Sequence, residues 1–437
     1  MSKDILINIK PKEKRVAVVK EGKLEEFYLE LSGDTSLLGN IYKGRIDSVV
    51  PSINAAFVDI GIGKNGFLYL TEMSNPLLEE ETSLTQKFLN KILKKKTNVA
   101  TGRLRFVKGD EVLVQVVKEP FGTKGPRLTT HISLAGRFLV LMSQDKPAGV
   151  SRRIDSLDER RRLRQILSDL RFAEGVGFIV RTASLGKGKR ELIRDAKFLF
   201  KMWLRIKSSA KNQKAPALIY KEYDLMWRVV RDYFSEDIDG IYIDSKLEFL
   251  KFLRFVKTLI GPHLIKKIHF YKENLPLFEA KGIENEIKKI YERKIFLKSG
   301  AYIVIEPTEG LTVVDVNSGK FKSQLDPETA AFQVNIEVAS EIARQIRLRD
   351  IGGIIVIDFI DMAKESHRKA VFETLKQALS FDRAKTEVQG ISNLGLVEMT
   401  RERTGKTLES KSFEDCPHCK GTGKIKINED ITYGVRH

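Results

Sequence analysis

Alternating apolar and polar positions open the chain. Ile5-Leu-Ile-Asn-Ile and Val16-Ala-Val-Val read as two strands of a hairpin, with a Lys20-Glu-Gly-Lys turn before Phe27. From Leu38 to about Thr130 the apolar runs are short and punctuated by glycine: Ile41-Tyr-Lys-Gly-Arg-Ile, Ala55-Ala-Phe57-Val-Asp-Ile-Gly, Gly66-Phe67-Leu-Tyr-Leu and Glu111-Val-Leu-Val-Gln-Val-Val. Several short strands at such spacing predict a small barrel of the oligonucleotide-binding (OB) type. A polar insertion over 72–106, carrying Lys91-Ile-Leu-Lys-Lys-Lys-Thr, reads as a solvated loop or helix face.

Residues 131–226 mix strands with an arginine-rich helix, Asp158-Glu-Arg-Arg-Arg-Leu-Arg, and a strand running from Gly177 to Arg181-Thr182. An α/β pattern resumes over 227–290, with Ile241-Tyr-Ile-Asp and a helix whose expected apolar stripe is Leu247, Leu250, Leu253 and Val256. The opening hairpin has no sheet of its own, and pairing here would make the barrel and the module after it an insertion. A third α/β unit begins near 292 with a hairpin, Tyr302-Ile-Val-Ile and Leu311-Thr-Val-Val, around Pro307-Thr-Glu-Gly310. Its helix starts at Asp326-Pro327, an N-cap followed by a first-turn proline, and presents Ile336, Ala339, Ala343 and Ile346 on one face.

Two apolar runs of this last unit end in acid: Leu311 to Asp315-Val-Asn317, and Gly353-Ile-Ile-Val-Ile-Asp358, 43 residues later. They read as buried neighbouring strands delivering carboxylates to one place, where an acid must meet solvent, a partner or a metal ion. Magnesium uses a few carboxylates and keeps water and substrate phosphate oxygens as its other ligands, so two Asp and an amide oxygen such as that of Asn317 suffice. A strand-end Asp can also simply cap a turn. Asp361 is expected to play that structural part, capping the next helix.

Charge strengthens the chemical reading. Lys and Arg number 76 against 58 Asp and Glu in 437 residues, a formal net charge of +18, which favours a polyanionic partner, nucleic acid first. No apolar run reaches the roughly 20 residues that span a bilayer, and Met1-Ser-Lys-Asp is not the start of a signal peptide, so a cytoplasmic protein without a membrane span is expected. In the barrel, Phe57 and Phe67 with Lys43, Arg45 and Lys124 suit a groove that stacks the bases of a single strand, although both rings could instead be core. Arg181-Thr182 before a glycine-rich turn has the makings of a terminal-phosphate site or of an exposed basic loop. Thr404-Gly-Lys-Thr407 lacks the glycine and strand of a nucleotide P-loop, which excludes that ATPase class. The two cysteines, Cys416 and Cys419, exclude a disulfide framework. The form Cys-Pro-x-Cys-x-Gly-x-Gly is half of a tetrahedral zinc site, to be completed by a second chain, or else a redox pair.

Leu38-Gly-Asn-Ile-Tyr-Lys-Gly-Arg, Gly122-Thr-Lys-Gly-Pro-Arg-Leu-Thr-Thr, Val314-Asp-Val-Asn-Ser, Ile342-Ala-Arg-Gln-Ile-Arg-Leu-Arg-Asp and Ile355-Val-Ile-Asp-Phe-Ile-Asp-Met together resemble the ribonuclease E/G family, nearly from end to end. Asn317-Ser-Gly and Leu396-Val-Glu-Met-Thr-Arg look closer to its ribonuclease G branch. The resemblance implies a magnesium-dependent, single-strand-specific endoribonuclease of ribosomal RNA processing and messenger RNA decay that leaves 5′-phosphate and 3′-hydroxyl ends. It implies that Asp315 and Asp358 bind catalytic magnesium with Asn317 beside them, and that Phe57, Phe67 and Lys124 contact RNA. Gly136, Val140, Arg181, Thr182 and Lys385 would sense a 5′-monophosphate. Lys385 stands where the ribonuclease E form has Arg, which replaces a bidentate contact by a point charge.

The implied fold class is α/β multidomain. A ribonuclease H-like region (1–37 and 227–290) would be interrupted by the barrel (38–130) and a 5′-sensor (131–226). A deoxyribonuclease I-like catalytic domain (291–412), a zinc link (413–426) and a tail (427–437) would follow. The resemblance also implies zinc shared between Cys416 and Cys419 of two chains, hence a homodimer; with most of the family's C-terminal small domain absent, a tetramer is not expected. The competing reading is a non-catalytic RNA-binding protein whose acids are structural.

Overall fold

The computed structural model describes residues 2–33, 36–72, 107–120, 124–143, 149–151, 153–169, 176–233, 238–259, 262–321, 326–392, 394–403, 405–414, 416–419 and 423. The lysine-rich run at 91–97 and the tail at 427–437 lie outside the described residues. The chain divides into two units, one of residues 2–16 and 32–272, the other of residues 17–31 and 273 onward. The strands β1 (Lys3–Lys10), β2 (Glu13–Lys20) and β3 (Lys23–Leu31) open the sequence, and the chain passes from the first unit to the second within β2.

In the first unit, β4 (Ile41–Val50), β5 (Ala55–Asp59), β6 (Gly66–Tyr69), β7 (Glu111–Lys118) and β8 (Arg127–Thr129) run in the order β4-β5-β6-β8-β7. Pairing of β7 back onto β4 closes them into a five-stranded barrel. Alternation turns Ala56, Val58, Leu68, Val112, Val114 and Leu128 into the barrel core. Gly66 is required where it stands, because a Cβ there would meet the Leu128 side chain at 2.4 Å.

A four-stranded sheet follows, made of β9 (Ser133–Ala135), β10 (Leu139–Met142), β11 (Gly149–Val150) and β12 (Gly177–Val180) in the order β11-β12-β10-β9. Leu163 of the helix Leu157–Ser168, and Leu192, Leu199 and Trp203 of the helix Lys189–Asn212, pack with Leu139, Leu141 and Val180 of this sheet. The strand β13 (Ala217–Tyr220) returns to pair with β4. Then β14 (Gly240–Ile243) pairs in parallel with β1, Ile5 opposite Ile241 and Ile7 opposite Ile243, and β15 (Ile268–Phe270) pairs with β14. The helix Lys246–Leu259 departs from expectation: among its described side chains Phe252 and Val256 are the buried ones, whereas Leu247 and Leu250 face solvent. A leucine repeat at i, i+3 and i+6 drifts round the helix, and the bulkier Phe252 wins the core position.

The second unit is built on β16 (Lys294–Phe296), β17 (Tyr302–Pro307), β18 (Leu311–Asn317), β19 (Gly353–Asp358), β20 (Thr386–Val388) and β21 (Leu396–Arg401), in the order β16-β17-β18-β19-β21-β20. Between β18 and β19 runs the helix Pro327–Leu348, capped as expected by Asp326, whose carboxylate accepts from Thr329 N at 3.1 Å. A crossover of this kind is what parallel pairing needs, and β18 and β19 pair in parallel. Val334, Val338, Ala339, Ala343 and Ile346 of that helix, with Val371 and Leu375 of the helix Glu365–Leu379, bury one sheet face carrying Ile303, Val314, Ile355 and Ile357. Among the described residues of this unit, these helices leave the opposite face uncovered. Ile354 is half exposed, so the apolar run expected to be a buried strand is buried on one face only.

Candidate active site

Asp315 and Asp358 are direct register partners on the parallel pair β18–β19. Strand spacing puts their Cα atoms about 5 Å apart. The valines on either side of Asp315, Val314 and Val316, are buried, as is Ile357, so both acids emerge on the open face of the sheet and both are exposed. Asn317 follows two residues after Asp315 on the same face, and its Nδ2 donates to Asp315 Oδ2 at 2.7 Å. That bond fixes Asp315 and leaves the amide oxygen of Asn317 for another partner. Burial, then the negative charges of Asp315 and of Asp361, push the Asp358 carboxyl upward.

Asp361 was expected to cap the following helix and does not. Lys364 occupies the N-cap, with no side-chain cap bond, and Asp361 stays exposed with its charge acting on Asp358. Among the described residues no group of three or more His, Cys, Asp or Glu side chains is placed to hold a metal ion. Two adjacent like-charged carboxylates with a neutral amide nonetheless match what magnesium takes from a protein, since a dication would offset the repulsion between them.

The barrel presents its aromatics outward. Phe57 lies opposite Phe67, ring centroids 5.9 Å apart and nearly perpendicular, and both are half-buried on the face away from the barrel core. Tyr69, two residues on, meets Phe67 edge to face at 4.8 Å. The guanidinium of Arg127, the register partner of Phe67 on β8, covers Tyr69 at 4.9 Å and is held by Glu72 at 3.1 Å. Lys124 is exposed. Lys43 and Arg45, expected in this groove, are committed elsewhere: Lys43 is buried on Glu111 at 2.8 Å and on the Gln213 carbonyl, and Arg45 donates to the Ala215 carbonyl. Both sit beside β13, an edge pairing that local sequence does not announce.

The turn between β9 and β10 gathers the remaining predicted positions of the first unit. The buried carboxylate of Asp195 accepts from the backbone N–H of Arg137, Phe138 and Leu139, at 3.3, 2.8 and 2.9 Å. Burial nevertheless raises its proton affinity. A Cβ on Gly136 would sit 2.5 Å from this carboxylate, which explains the glycine. Arg181 donates to the Gly136 carbonyl at 2.6 Å and to Asp232 at 2.7 Å. Val140 pairs with Ala135 and Ile179, while Thr182, exposed, begins a 3₁₀ turn directly after Arg181. In the second unit, Lys385 is exposed and pairs with Glu387 at 2.6 Å. Cys416 is exposed and Cys419 partly so; hydrogen bonds from the backbone N–H of Cys419 and His418 hold the Cys416 thiol low, and Gly423 N donates to Cys419 Sγ at 3.3 Å. Thiolate-favouring N–H donors around two cysteines suit a metal knuckle.

A sequence profile of the ribonuclease E/G family matches residues 133–404. The chain belongs to this family. The motifs that suggested it are thereby borne out, and membership makes the chain an RNA-cleaving enzyme. Ribonuclease G of Escherichia coli strain K12 is 40% identical over 439 residues, a match covering all of this chain and 87% of that protein. Ribonuclease G of Haemophilus influenzae is 40% identical over 432 residues, 99% of this chain and 86% of that one. Ribonuclease E of the same organism is 42% identical over 435 residues, but the match covers only 45% of its length. No helix among the described residues is long and apolar enough to cross a membrane.

Sequence reasoning passed over Tyr69, Arg127, Asp195 and Asp232. For Tyr69 a signal existed: residues two apart on a strand share a face, so Phe67 implicates it. Nothing local marks Asp195 or Asp232, which reach their partners across 56 and 51 residues.

Proposed function

We propose that this chain is a magnesium-dependent endoribonuclease that hydrolyses single-stranded RNA at the Asp315–Asp358 pair, leaving 5′-phosphate and 3′-hydroxyl ends. The observation that carries the reading is the register match of the two acids on adjacent parallel strands, on the sheet face that the helices leave open. Magnesium bound there would activate a water and stabilise charge developing on the phosphate. Asn317 orients Asp315 through its amide hydrogen, so that carboxylate would meet a cation in one rotamer. The mutual repulsion of the acids makes the pair a better cation site than either alone.

The rest of the chain supports the substrate class. Outward Phe57 and Phe67 stack bases, with Lys124 for the backbone. Arg181, with Gly136, Val140 and Thr182, suits a pocket that favours a 5′-monophosphate. On this reading the domains are those the family resemblance implies, and zinc bridges Cys416 and Cys419 of two chains into a homodimer acting in the cytoplasm on ribosomal and messenger RNA. The test is a metal titration of cleavage comparing 5′-phosphate with 5′-hydroxyl RNA. Metal-dependent cutting, faster on the phosphate, is expected; cutting at full rate in a chelator would overturn the assignment.

A further inference from the structure

The open face of the catalytic sheet carries more than the acids. One rung along from them, Phe296 on β16 lies opposite Tyr302 on β17, and Tyr302 lies opposite Asn317 on β18. Phe296 is 67% exposed, while Ile295 beside it is buried in the core. A lone exposed phenylalanine needs no explanation. This one is part of a constellation: its ring is 5.7 Å from that of Tyr302, tilted by 53°, and the ammonium of Lys294 lies 3.5 Å from the Tyr302 centroid and 5.0 Å from that of Phe296. Lys294 belongs to the rung of Val304, Asp315 and Asp358, and among the described residues it makes no ion pair. Aromatic surface with an uncompensated cation is how proteins hold a base and its phosphate in a single strand.

We propose that Phe296, Tyr302 and Lys294 form a nucleotide subsite flanking the bond that is cut. Phe296 stacks on a base of the substrate, Tyr302 supports that ring from the side of Asn317, and Lys294 meets a phosphodiester oxygen. Two strand spacings separate Phe296 from Asn317, about 10 Å, so the bound base is a near neighbour of the scissile phosphate. The inference rests on the reading of Asp315 and Asp358 as the place of cleavage.

The test uses the full chain and a 5′-monophosphorylated single-stranded oligoribonucleotide, with abasic positions scanned across the cleavage site. Phe296→Ala is expected to raise KM about tenfold with kcat held, the size of a lost base–aromatic stack, and Phe296→Tyr is expected to restore it. One abasic position should slow the unmodified protein and cause no further loss in Phe296→Ala. Lys294→Ala should lower the slope of log affinity against log salt by about 0.7, the value for one single-strand phosphate contact, a change that Phe296→Ala should not produce. An unchanged KM in Phe296→Ala, or abasic losses that simply add to it, overturns the subsite. If Asp358→Asn cleaves at full rate, it is the reading of the acid pair that fails, a separate outcome.

Discussion

The amide of Asn317 donates to the carboxylate of Asp315 at 2.7 Å, and Asp315 is itself the register partner of Asp358. Removing the orienting bond in Asn317→Ala should lower kcat by about 10- to 100-fold, the range for a group that positions a metal ligand. Asp358→Asn should lose more while keeping its melting temperature, because Asp358 is exposed and supports no core contact. Steady-state cleavage beside thermal unfolding checks both. Near-normal kcat in Asp358→Asn would return the acids to a structural role.

Arg181 is held between the Gly136 carbonyl and Asp232. Arg181→Ala should abolish any preference for a 5′-monophosphate over a 5′-hydroxyl. Asp232→Ala should do so as well and also destabilise the fold by about 3 kcal/mol, since it leaves Arg181 and Arg231 without their shared counter-charge. The ratio of kcat/KM for the two substrates is the measurement, and a ratio unmoved in Arg181→Ala would remove this pocket from 5′-end recognition.

Gly136→Ala places a methyl 2.5 Å from a carboxylate that three backbone N–H groups pin. The carboxylate cannot swing aside without losing them, so destabilisation of about 1–3 kcal/mol is expected. Urea unfolding reports it.

Glu159 is held low, to about 2, chiefly by its bidentate bond to Arg162 and then by Gly186 N. A depressed carboxyl contributes stability above its ordinary value of 4.5 and loses it as pH falls toward about 2. Glu159→Gln should therefore be less stable by about 1 kcal/mol at neutral pH, the pair being partly exposed, with the gap narrowing as pH falls below 4.5. A gap independent of pH would show that the ion pair contributes nothing.

Cys416→Ser, or a chelator selective for zinc, should shift sedimentation from dimer towards monomer. An unchanged dimer would exclude the cysteine pair as the main contact.

Much of the site was legible because it depends on short-range alternation. Apolar positions two apart fix which face Asp315 and Asp358 take, and Asp326-Pro327 announces its helix in the sequence itself. What escaped depends on pairing between distant segments. The commitment of Lys43 follows from β7 closing onto β4, which brings Glu111, and from the segment leading into β13, which brings the Gln213 carbonyl, while the turn at 136–139 is organised by Asp195 of a helix that begins 50 residues later. Asp361 was misassigned because three residues of spacing fit a cap, whereas the helix starts one turn later. Phe296 drew no notice because an aromatic in a short strand reads as core until its neighbours decide which side is covered.

The parallel pairing of β18 with β19 makes the meeting of Asp315 and Asp358 a product of long-range pairing, not of local structure. A slip of one residue would turn Asp358 towards the helices and bring Ile357 to the open face. During synthesis the first acid emerges 43 residues before the second, and the strands cannot align until the segment between them has been made. A half-made chain therefore cannot yet bring the two acids side by side.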